Sequence, residues 1–362
     1  MSRPVIVQHS FGDLGSGGPI TALGHVLNSR LTEKYDFVRM HQTRAAGGVN
    51  VRLLHQWVSM LRQVKPDLVH VRGLGNEGFH GALAAKLAGC PRILVSIHGT
   101  VRDLSEPAPT LRRRMLVGAI EPATLRMATH LATVCISAAQ REFLDRYRSK
   151  VAGVVPNGVD VPEDVGRNRP RIRAELGLPA NTVVCVVVGR LSVEKGHLVL
   201  ADALQQLPER GSAITLLVIG DGPDRNIIAR AYGAVPGLNV QFLGRRLDVP
   251  AILEASDLFL FPTLHENLSN ALLEGMAAGL PVIASAVGGN VEVLNSGGGV
   301  LVPASDPTSL ADSMVTLLGS AALRARYGSE ARKVVQDHYT VDHMIAGLDE
   351  LYQDVLQRVP RR

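Results

Sequence analysis

The sequence predicts an α/β protein with two domains, each built on a parallel, doubly wound sheet. The chain has 362 residues, which is long for a single domain. Short apolar runs of strand type alternate with stretches of helical pattern in both halves, and this alternation is typical of parallel sheets with helices on both faces. A polar segment, residues 162–175, separates the halves and is the best linker candidate, so we place the domain boundary at about residue 160.

The first half contains six apolar runs that we interpret as strands. They are residues 5–8, 36–40, 67–71, 92–97, 131–135 and 151–155. Helices are expected from Pro19 to about Arg30, at 51–63, at 77–88, over an amphipathic stretch at 110–127, and after Ser137, which we interpret as a helix cap. Because helices separate the strands, the strands are expected to run parallel.

Two loops of the first half are candidate ligand contacts. The loop from His9 to Gly18 is rich in glycine, which lets a backbone approach a ligand closely. It lacks the three spaced glycines of dinucleotide-binding proteins, and ordinary turn chemistry explains it equally well. His98 ends its strand next to Gly99, where a ligand could reach it, and a purely structural histidine is the equal alternative.

The second half restarts the alternation with strand candidates at 183–188, 216–219, 240–243, 258–261 and 282–284. Arg190 and Lys195 follow the carboxyl end of its first strand. There, an arginine can form paired hydrogen bonds to phosphate oxygens and a lysine can add a point charge. The alternative is an ordinary ion pair with Glu194 or another surface carboxylate. From Pro307 to Arg362 the pattern is helical.

The stretch 258–292 contains two strand–loop–helix units in succession. Glu266 lies in the first loop, and Asn267, Ser269 and Asn270 offer N-cap chemistry for a helix that carries Glu274. In open α/β sheets, ligands bind outside the carboxyl ends of the strands, and the amino end of such a helix suits a phosphate group. The two carboxylates are suited to accept hydrogen bonds from sugar or ribose hydroxyls.

The composition excludes several classes of protein. Hydrophobic residues make up 46% and charged residues 20% of the chain, as in a globular protein rather than a disordered one. The net charge of +5 favours anionic partners only weakly. Nucleic acid is not expected as a partner, because the chain has one Trp, few other aromatic residues and no dense run of Lys and Arg.

The three cysteines and the apolar runs indicate the compartment. Cys90, Cys135 and Cys185 are far apart in apolar surroundings, so we expect neither a disulfide framework nor a metal site. A reducing compartment is the simplest inference from this. No apolar run is long enough for a secretion signal or a membrane span, so the protein is expected to be soluble or peripheral. The amphipathic stretch 110–127, with Arg112 to Arg114, is either a solvated helix face or a surface that approaches anionic lipid.

A set of motifs in a fixed order resembles one enzyme family. The set is Pro156-Asn157-Gly158-Val159-Asp160, Gly189-Arg190 with Lys195-Gly196, Gly220-Asp221-Gly222-Pro223, Phe242-Leu243-Gly244, and Glu266 with Glu274. Together these motifs resemble the large retaining glycosyltransferase family of the GT-B fold, which includes sucrose synthase, bacterial mannosyltransferases and lipopolysaccharide glucosyltransferases. The likeness covers nearly the whole chain, with departures at residues 267–269 and at Val291.

The resemblance implies the GT-B fold, in which two Rossmann-like domains face each other across a cleft. Residues 1–160 would form the acceptor-side domain and residues 161–339 the domain that binds the nucleotide sugar. The final helix, at 340–362, would return to the first domain.

The resemblance also implies roles for particular residues. Arg190 and Lys195 would hold the donor's diphosphate and neutralise the charge that develops as it leaves, so that neither a metal nor another cofactor is expected. Glu266 and His98 would contact the donor sugar, and Glu274 the ribose of the nucleotide. The other expected donor contacts are Gly17, Gly18, Gly189, Arg245, Asn267, Leu268, Ser269 and Asn270.

The function implied by the resemblance is transfer of a hexose or N-acetylhexosamine, with retention, from a nucleotide sugar to a hydroxyl of a glycan or lipid-linked acceptor. Uridine diphosphate is the expected nucleotide. The expected location is the cytoplasm, with peripheral association at the inner face of the membrane. The alternatives are a phosphorylase or a sugar-nucleotide epimerase on the same fold, and a non-catalytic protein that binds a nucleotide sugar.

Overall fold

The computed structural model describes residues 2–12, 18–43, 48–100, 102, 110–179, 181–208 and 214–358. The chain divides into two compact units. Unit 1 comprises Met1–Gly158 together with Val341–Arg362, and unit 2 comprises Val159–Thr340. Each unit contains a six-stranded parallel sheet with helices around it, as the sequence predicts for a doubly wound α/β protein.

The strands follow one another along the chain without mixing between the units. In unit 1 they are β1 (Val5–Phe11), β2 (Asp36–Gln42), β3 (Leu68–Arg72), β4 (Ile93–Ile97), β5 (His130–Thr133) and β6 (Val151–Val154), in the order β2-β1-β3-β4-β5-β6. In unit 2 they are β7 (Val183–Val188), β8 (Ile214–Ile219), β9 (Asn239–Gly244), β10 (Leu258–Phe261), β11 (Val282–Ser285) and β12 (Gly299–Val302), in the order β12-β11-β10-β7-β8-β9. Both orders reverse direction next to a central strand, and Rossmann-like sheets bind ligands at such reversals.

The helices lie between the strands. They are α1 (Gly18–Leu27), α2 (Leu31–Lys34), α3 (Val51–Val64), α4 (Asn76–Ala88), α5 (Leu111–Met115), α6 (Glu121–Met127), α7 (Ile136–Ala139), α8 (Arg169–Glu175), α9 (His197–Gln205), α10 (Arg225–Gly233), α11 (Val249–Glu254), α12 (Asn270–Ala277), α13 (Gly289–Leu294), α14 (Pro307–Leu318), α15 (Ala321–His338) and α16 (Val341–Gln357). One turn of π-helix, Leu116–Ile120, joins α5 to α6, and 3₁₀ turns cover Glu142–Lys150 and Val193–Lys195.

The sheet of unit 1 is covered on both faces because alternate residues of each strand point to opposite sides. Val69 and Val95 belong to one apolar core, together with α3 and α4. Leu68 and Leu94 belong to the other, together with α16. The last helix of the chain therefore completes the core of unit 1.

The core of unit 2 contains buried residues of β7, β8, β10 and β11 packed with α9 and α14. On α12, Gly275 allows an unusually close approach to the sheet. A side chain there would place its Cβ 2.7 Å from the ring of Phe259 on β10. The position of α12 above β10 thus depends on this glycine.

Three local predictions were wrong. Strand β12 was not predicted, because it is only four residues long and follows two further glycines. Ser137 is not a helix cap: Cys135 is the N-cap of α7 and Ser137 lies inside the helix. The segment 162–175 is not simply a polar linker, since Arg169–Glu175 forms α8, whose Ile172 is fully buried and whose Arg169 and Arg173 pair with Asp257.

No helix in the described ranges is both long and apolar enough to cross a bilayer.

Candidate functional site

In unit 2, the loops that follow β7, β8, β10 and β11 pack directly on one another at the carboxyl edge of the sheet. Glycine makes these contacts possible. A Cβ on Gly220 would lie 1.9 Å from the carbonyl oxygen of Gly189, and a Cβ on Gly196 would lie 1.8 Å from that of Pro262. A Cβ on Gly288 would lie 1.8 Å from the carbonyl oxygen of Glu266. Both Gly196 and Gly220 also have positive φ, which favours glycine.

Backbone hydrogen bonds fix the loops in this arrangement. The amide of Leu264 donates to the carbonyl oxygen of Glu194 at 2.8 Å. The amide of Gly289 donates to the carbonyl oxygen of Asn267 at 2.6 Å. The loops that follow β7, β10 and β11 therefore form one connected backbone framework, which limits the freedom of Lys195 and Glu266 before any ligand binds.

Lys195 and Glu266, predicted from separate loops, form an ion pair. Lys195 Nζ lies 2.7 Å from Glu266 Oε2, and the side chains are only 22% and 16% exposed. The ammonium group also lies 5.8 Å from the ring centroid of Phe261, and Glu266 Oε1 accepts a hydrogen bond from the amide of Asn267 at 3.2 Å. The lysine is thus oriented from two sides.

Arg190 makes the ion pair with Glu194 that the sequence left as an alternative. Its Nη2 lies 2.6 Å from Glu194 Oε1, but the Arg190 side chain remains 59% exposed. The Glu194 side chain is 23% exposed. Ion pairs at the protein surface contribute about 0–1 kcal/mol, so an incoming phosphate can compete for the exposed guanidinium at little cost.

Helix α12 presents polar groups at its amino end. Ser269 is its N-cap and accepts a hydrogen bond from the amide of Leu272 at 3.4 Å. Asn270 is the first helical residue, and its Oδ1 is buried without a hydrogen-bond partner among the described residues. One turn later, burial raises the pKa of Glu274 to about 7, and the nearby charge of Asp160 adds to the shift.

The other predicted donor contacts differ in what they can offer. Gly189 follows β7 directly, and Arg245 follows β9 with an exposed side chain. Asn267 and Leu268 are buried, so the side chain of Leu268 belongs to the packing and its backbone is the part available to a ligand. Gly17 lies outside the described residues, and Gly18 is the first residue of α1.

In unit 1, His98 lines a cavity of about 200 Å³ at the carboxyl edge of the sheet. The other side chains around this cavity include Ser10, Arg72 and Glu77, and much of the remaining wall is glycine backbone. Burial lowers the pKa of His98 to about 4, and the nearby charge of Arg72 contributes. The imidazole is therefore neutral at physiological pH and can accept a hydrogen bond from a hydroxyl group.

Sequence reasoning missed the buried polar network behind this cavity. Arg72 donates from Nη1 to the carbonyl oxygen of His9 and from Nη2 to Gln8 Oε1, both at 2.9 Å. Gln8 Nε2 donates to the hydroxyl of Tyr352 at 3.0 Å, and His70 Nδ1 lies 2.8 Å from the same hydroxyl. The available signal was the pair His70 and Arg72, two polar residues spaced for one face of an otherwise apolar strand.

No group of three or more His, Cys, Asp or Glu side chains lies close enough to hold a metal ion within the described ranges.

Both halves of the chain match models of glycosyltransferase families. Residues 182–320 match the model described as glycosyl transferases group 1, and residues 28–163 match that of glycosyltransferase family 4.

Curated relatives that the chain resembles act on different acceptors. It is 28% identical over 307 residues to the UDP-Gal:alpha-D-GlcNAc-diphosphoundecaprenol alpha-1,3-galactosyltransferase of Escherichia coli, covering 82% of this chain and 78% of the relative. It is 32% identical over 284 residues to the 2-deoxystreptamine glucosyltransferase of Streptomyces kanamyceticus, covering 73% of this chain and 68% of the relative.

Solved structures share the fold at low sequence identity. Anabaena HepE in complex with UDP and glucose superposes with a TM-score of 0.77 at 18% identity, covering 96% of this chain and 99% of HepE. WaaG, a glycosyltransferase of lipopolysaccharide biosynthesis, superposes with a TM-score of 0.72 at 17% identity, covering 96% of this chain and 99% of WaaG. At these identities the likeness shows the GT-B fold alone.

Proposed function

The chain belongs to the group 1, family 4 glycosyltransferases, enzymes of the GT-B fold that use a nucleotide sugar, and we propose that it transfers the sugar with retention of configuration and without a metal ion. The observation that carries this proposal is the Lys195–Glu266 ion pair at the carboxyl edge of the unit 2 sheet, with Arg190 on the same loop as Lys195 and Glu274 on the helix that follows the Glu266 loop. Two cations on one loop and two carboxylates on the neighbouring loop and its helix suit a ligand with a diphosphate flanked by hydroxyl-bearing rings.

The two cations would bind the donor's diphosphate. Lys195 is oriented by Glu266 and Phe261, and Arg190 pairs with Glu194 while its own side chain stays mostly exposed. As the bond from the anomeric carbon to the phosphate oxygen breaks, negative charge accumulates on the leaving diphosphate. Positioned cations stabilise that charge more in the transition state than in the ground state, and this is how they accelerate the reaction.

Glu274 and Glu266 would bind the hydroxyl groups of the donor. We assign the ribose to Glu274 and the transferred sugar to Glu266, with the backbone of residues 267–270 and the side chain of Arg245 as further donor contacts. Uridine is the nucleotide best supported by the relatives, since one is named for UDP-galactose and HepE was solved with UDP and glucose. A hexose or N-acetylhexosamine is the sugar we expect.

Retention would proceed by attack on the face from which the diphosphate leaves. Glu266 is a poor nucleophile because its oxygens already accept from Lys195 Nζ and the amide of Asn267. In the step we propose, the acceptor oxygen bonds to the anomeric carbon on the face that the phosphate oxygen vacates. The acceptor's proton passes to an oxygen of the departing diphosphate. No covalent enzyme intermediate is required.

The acceptor we propose is a glycan or lipid-linked hydroxyl, with the protein at the inner face of the membrane. One relative is named for a diphosphoundecaprenol-linked acceptor. In α5, Leu111 and Met115 are 75% and 59% exposed, and Arg112 to Arg114 lie between them. Apolar and basic side chains exposed together in this way favour binding to anionic lipid.

The membrane proposal is tested by co-sedimentation with vesicles that contain phosphatidylglycerol. Reversing the charges of Arg112, Arg113 and Arg114 to Glu should abolish co-sedimentation. The matched control reverses Arg39, Arg52 and Lys65, exposed cations in other elements of unit 1. Equal loss in both variants would mean that net charge alone, and not α5, drives binding.

The catalytic proposal is tested with the double variant Arg190→Gln, Lys195→Met. Sugar transfer from a panel of UDP-sugars in excess chelator should fall by a factor of about a hundred or more, while the circular dichroism spectrum stays unchanged. The anomeric configuration of the product, read by NMR, should equal that of the donor. Full activity of the double variant, dependence on added metal, or an inverted product would each contradict the corresponding part of the proposal.

A further inference from the structure

The cavity of unit 1 is bordered by a buried cation that has no carboxylate partner in the described part of the chain. Arg72 is 9% exposed, and its guanidinium donates to the backbone carbonyl of His9 and the side-chain amide of Gln8, both neutral acceptors. A buried charge is costly unless an opposite charge compensates it. Among the described residues the guanidinium is therefore uncompensated, and an anionic ligand in the cavity would supply the opposite charge.

The neighbouring histidines do not change this charge balance. Burial lowers the pKa of His9 to about 3 and of His98 to about 4, and the positive charge of Arg72 contributes to both. Burial likewise lowers the pKa of His70 well below its ordinary range. All three imidazoles are neutral at physiological pH, so the guanidinium remains the charged member of the cluster.

The network behind Arg72 fixes the direction of the guanidinium. Gln8 is held by the hydroxyl of Tyr352 on α16, and that hydroxyl also contacts His70, whose Nε2 lies 2.7 Å from Ser96 Oγ. A guanidinium has five N–H donors in a fixed plane. Two of the nitrogens are anchored by Gln8 and His9, and donors that remain can reach a ligand in the cavity that Arg72 lines.

A second part of the cavity wall also suits an anion. The first turn of α4 contributes Glu77 and Gly78, and its N-cap, Gly75, supplies no side chain to bond the first amides. These amides and the positive end of the 13-residue helix are available to a negatively charged group.

We propose that the unit 1 cavity binds an anionic group of the acceptor, a phosphate or a carboxylate, through Arg72 and the first turn of α4. Glu77 and Ser10 would bind hydroxyl groups close to that anion, and the neutral His98 in the same wall would remain available to the donor sugar. The inference rests on the proposed function and narrows the acceptor to molecules that carry an anion near the reacting hydroxyl. The diphosphate of the donor has the same chemistry, so the test must separate the two sources.

Inorganic phosphate is the probe, titrated calorimetrically into the full chain that carries Arg190→Gln and Lys195→Met. These substitutions remove the two cations that would bind the donor's diphosphate. Adding Arg72→Gln should then weaken phosphate binding by roughly tenfold or more, as expected for a lost charge-assisted hydrogen bond. Unchanged phosphate affinity after Arg72→Gln overturns the proposal.

UDP binding separates the acceptor from the donor. In the chain with Arg190 and Lys195 intact, Arg72→Gln should leave the affinity for UDP unchanged. A tenfold loss of UDP affinity would mean that Arg72 binds the donor and would overturn the assignment to the acceptor. Failure of the wild-type chain to bind UDP would contradict the proposed function, whereas the phosphate titration would still test the cavity.

A second variant tests the site without altering Arg72. Glu77→Gln removes the negative charge from the cavity wall, so phosphate affinity in the unit 2 double variant should rise severalfold. Glu33→Gln, at an exposed position of α2, is the control for the change in net charge. Equal effects of Glu77→Gln and Glu33→Gln, or no effect of either, would contradict binding in this cavity even if Arg72→Gln failed to fold.

Discussion

Glu274 has the most informative titration in the donor site. Burial raises its pKa from 4.5 to about 7, with Asp160 adding to the shift. If ribose hydroxyls donate to this group, the ionised form binds better, so the affinity for UDP should fall as the pH is lowered through 7. Calorimetric titrations with UDP at pH values from about 5.5 to about 8.5, which reach roughly 1.5 units to either side of this pKa, measure the change in affinity.

The stability of the unliganded chain should show the opposite dependence on pH. Between the ordinary pKa of 4.5 and the raised value of about 7, the folded state binds more protons at Glu274 than the unfolded state. This contribution to the free energy of unfolding therefore falls as the pH rises through that window. Glu274→Gln should remove both dependences, and a variant that keeps the wild-type pH profile of UDP affinity would show that another group titrates.

Glu194 competes with the donor phosphate for Arg190 in our proposal. Glu194→Gln should release the guanidinium from the 2.6 Å pair and raise the affinity for UDP. Because an exposed pair contributes about 0–1 kcal/mol, the gain should be at most about fivefold. The backbone carbonyl of Glu194 would still accept from the amide of Leu264, so the loop framework should persist. Weaker UDP binding in this variant would mean that the carboxylate itself assists the donor site.

At the scale of elements, the close contact of loops depends on a few glycines. In Gly196→Ala, the new Cβ would overlap the carbonyl oxygen of Pro262, on a residue whose φ is +73°. Gly237 has a similar φ of +67° but has open space around it. Gly237→Ala should therefore lower the free energy of unfolding only by the strain of the left-handed backbone, about 1–2 kcal/mol. Gly196→Ala should lower it by clearly more.

Thermal unfolding and UDP titration of the two variants check this prediction. Gly196→Ala should also weaken UDP binding, because the loop with Glu266 must move away from Lys195 on the neighbouring loop. Gly237→Ala should bind UDP as the wild type does. If both substitutions destabilised the protein equally, the loop that contains Pro262 could move away from residue 196 without loss of stability. The loops would then not be held as one framework.

Much of this layout was predictable from the order of apolar runs. Eleven of the strands correspond to predicted runs, and the position of Arg190, Lys195, Glu266 and Glu274 after strands of a parallel sheet followed from the alternation. That Lys195 pairs with Glu266 did not follow, because it depends on contacts between loops far apart in sequence. The cavity around Arg72 was missed for the same reason: its wall comes from β1, β3, the start of α4 and the end of β4.

At the scale of the whole molecule, the chain leaves unit 1 at Gly158 and returns to it at Val341. Its C-terminal helix α16 packs Ile345 into the same core as Leu68 and Leu94, and places Tyr352 in the network behind Arg72. The stability of unit 1 therefore depends on residues that follow the whole of unit 2 in the sequence.

Two large-to-small substitutions in the C-terminal helices should destabilise different units. Ile345 in α16 is 2% exposed in the core of unit 1, and Met314 in α14 is fully buried in the core of unit 2. Replacing either residue by Ala should lower the free energy of unfolding of its unit by about 2–5 kcal/mol, because buried apolar surface is lost and a cavity is left behind. Native-state hydrogen exchange reports the loss unit by unit. Ile345→Ala should lower protection of β1, β3 and β4 and leave UDP affinity unchanged, whereas Met314→Ala should lower protection of β7, β8 and β10. If Ile345→Ala lowered protection in both sheets equally, the two units would unfold as one cooperative body, and α16 would stabilise the whole chain rather than unit 1.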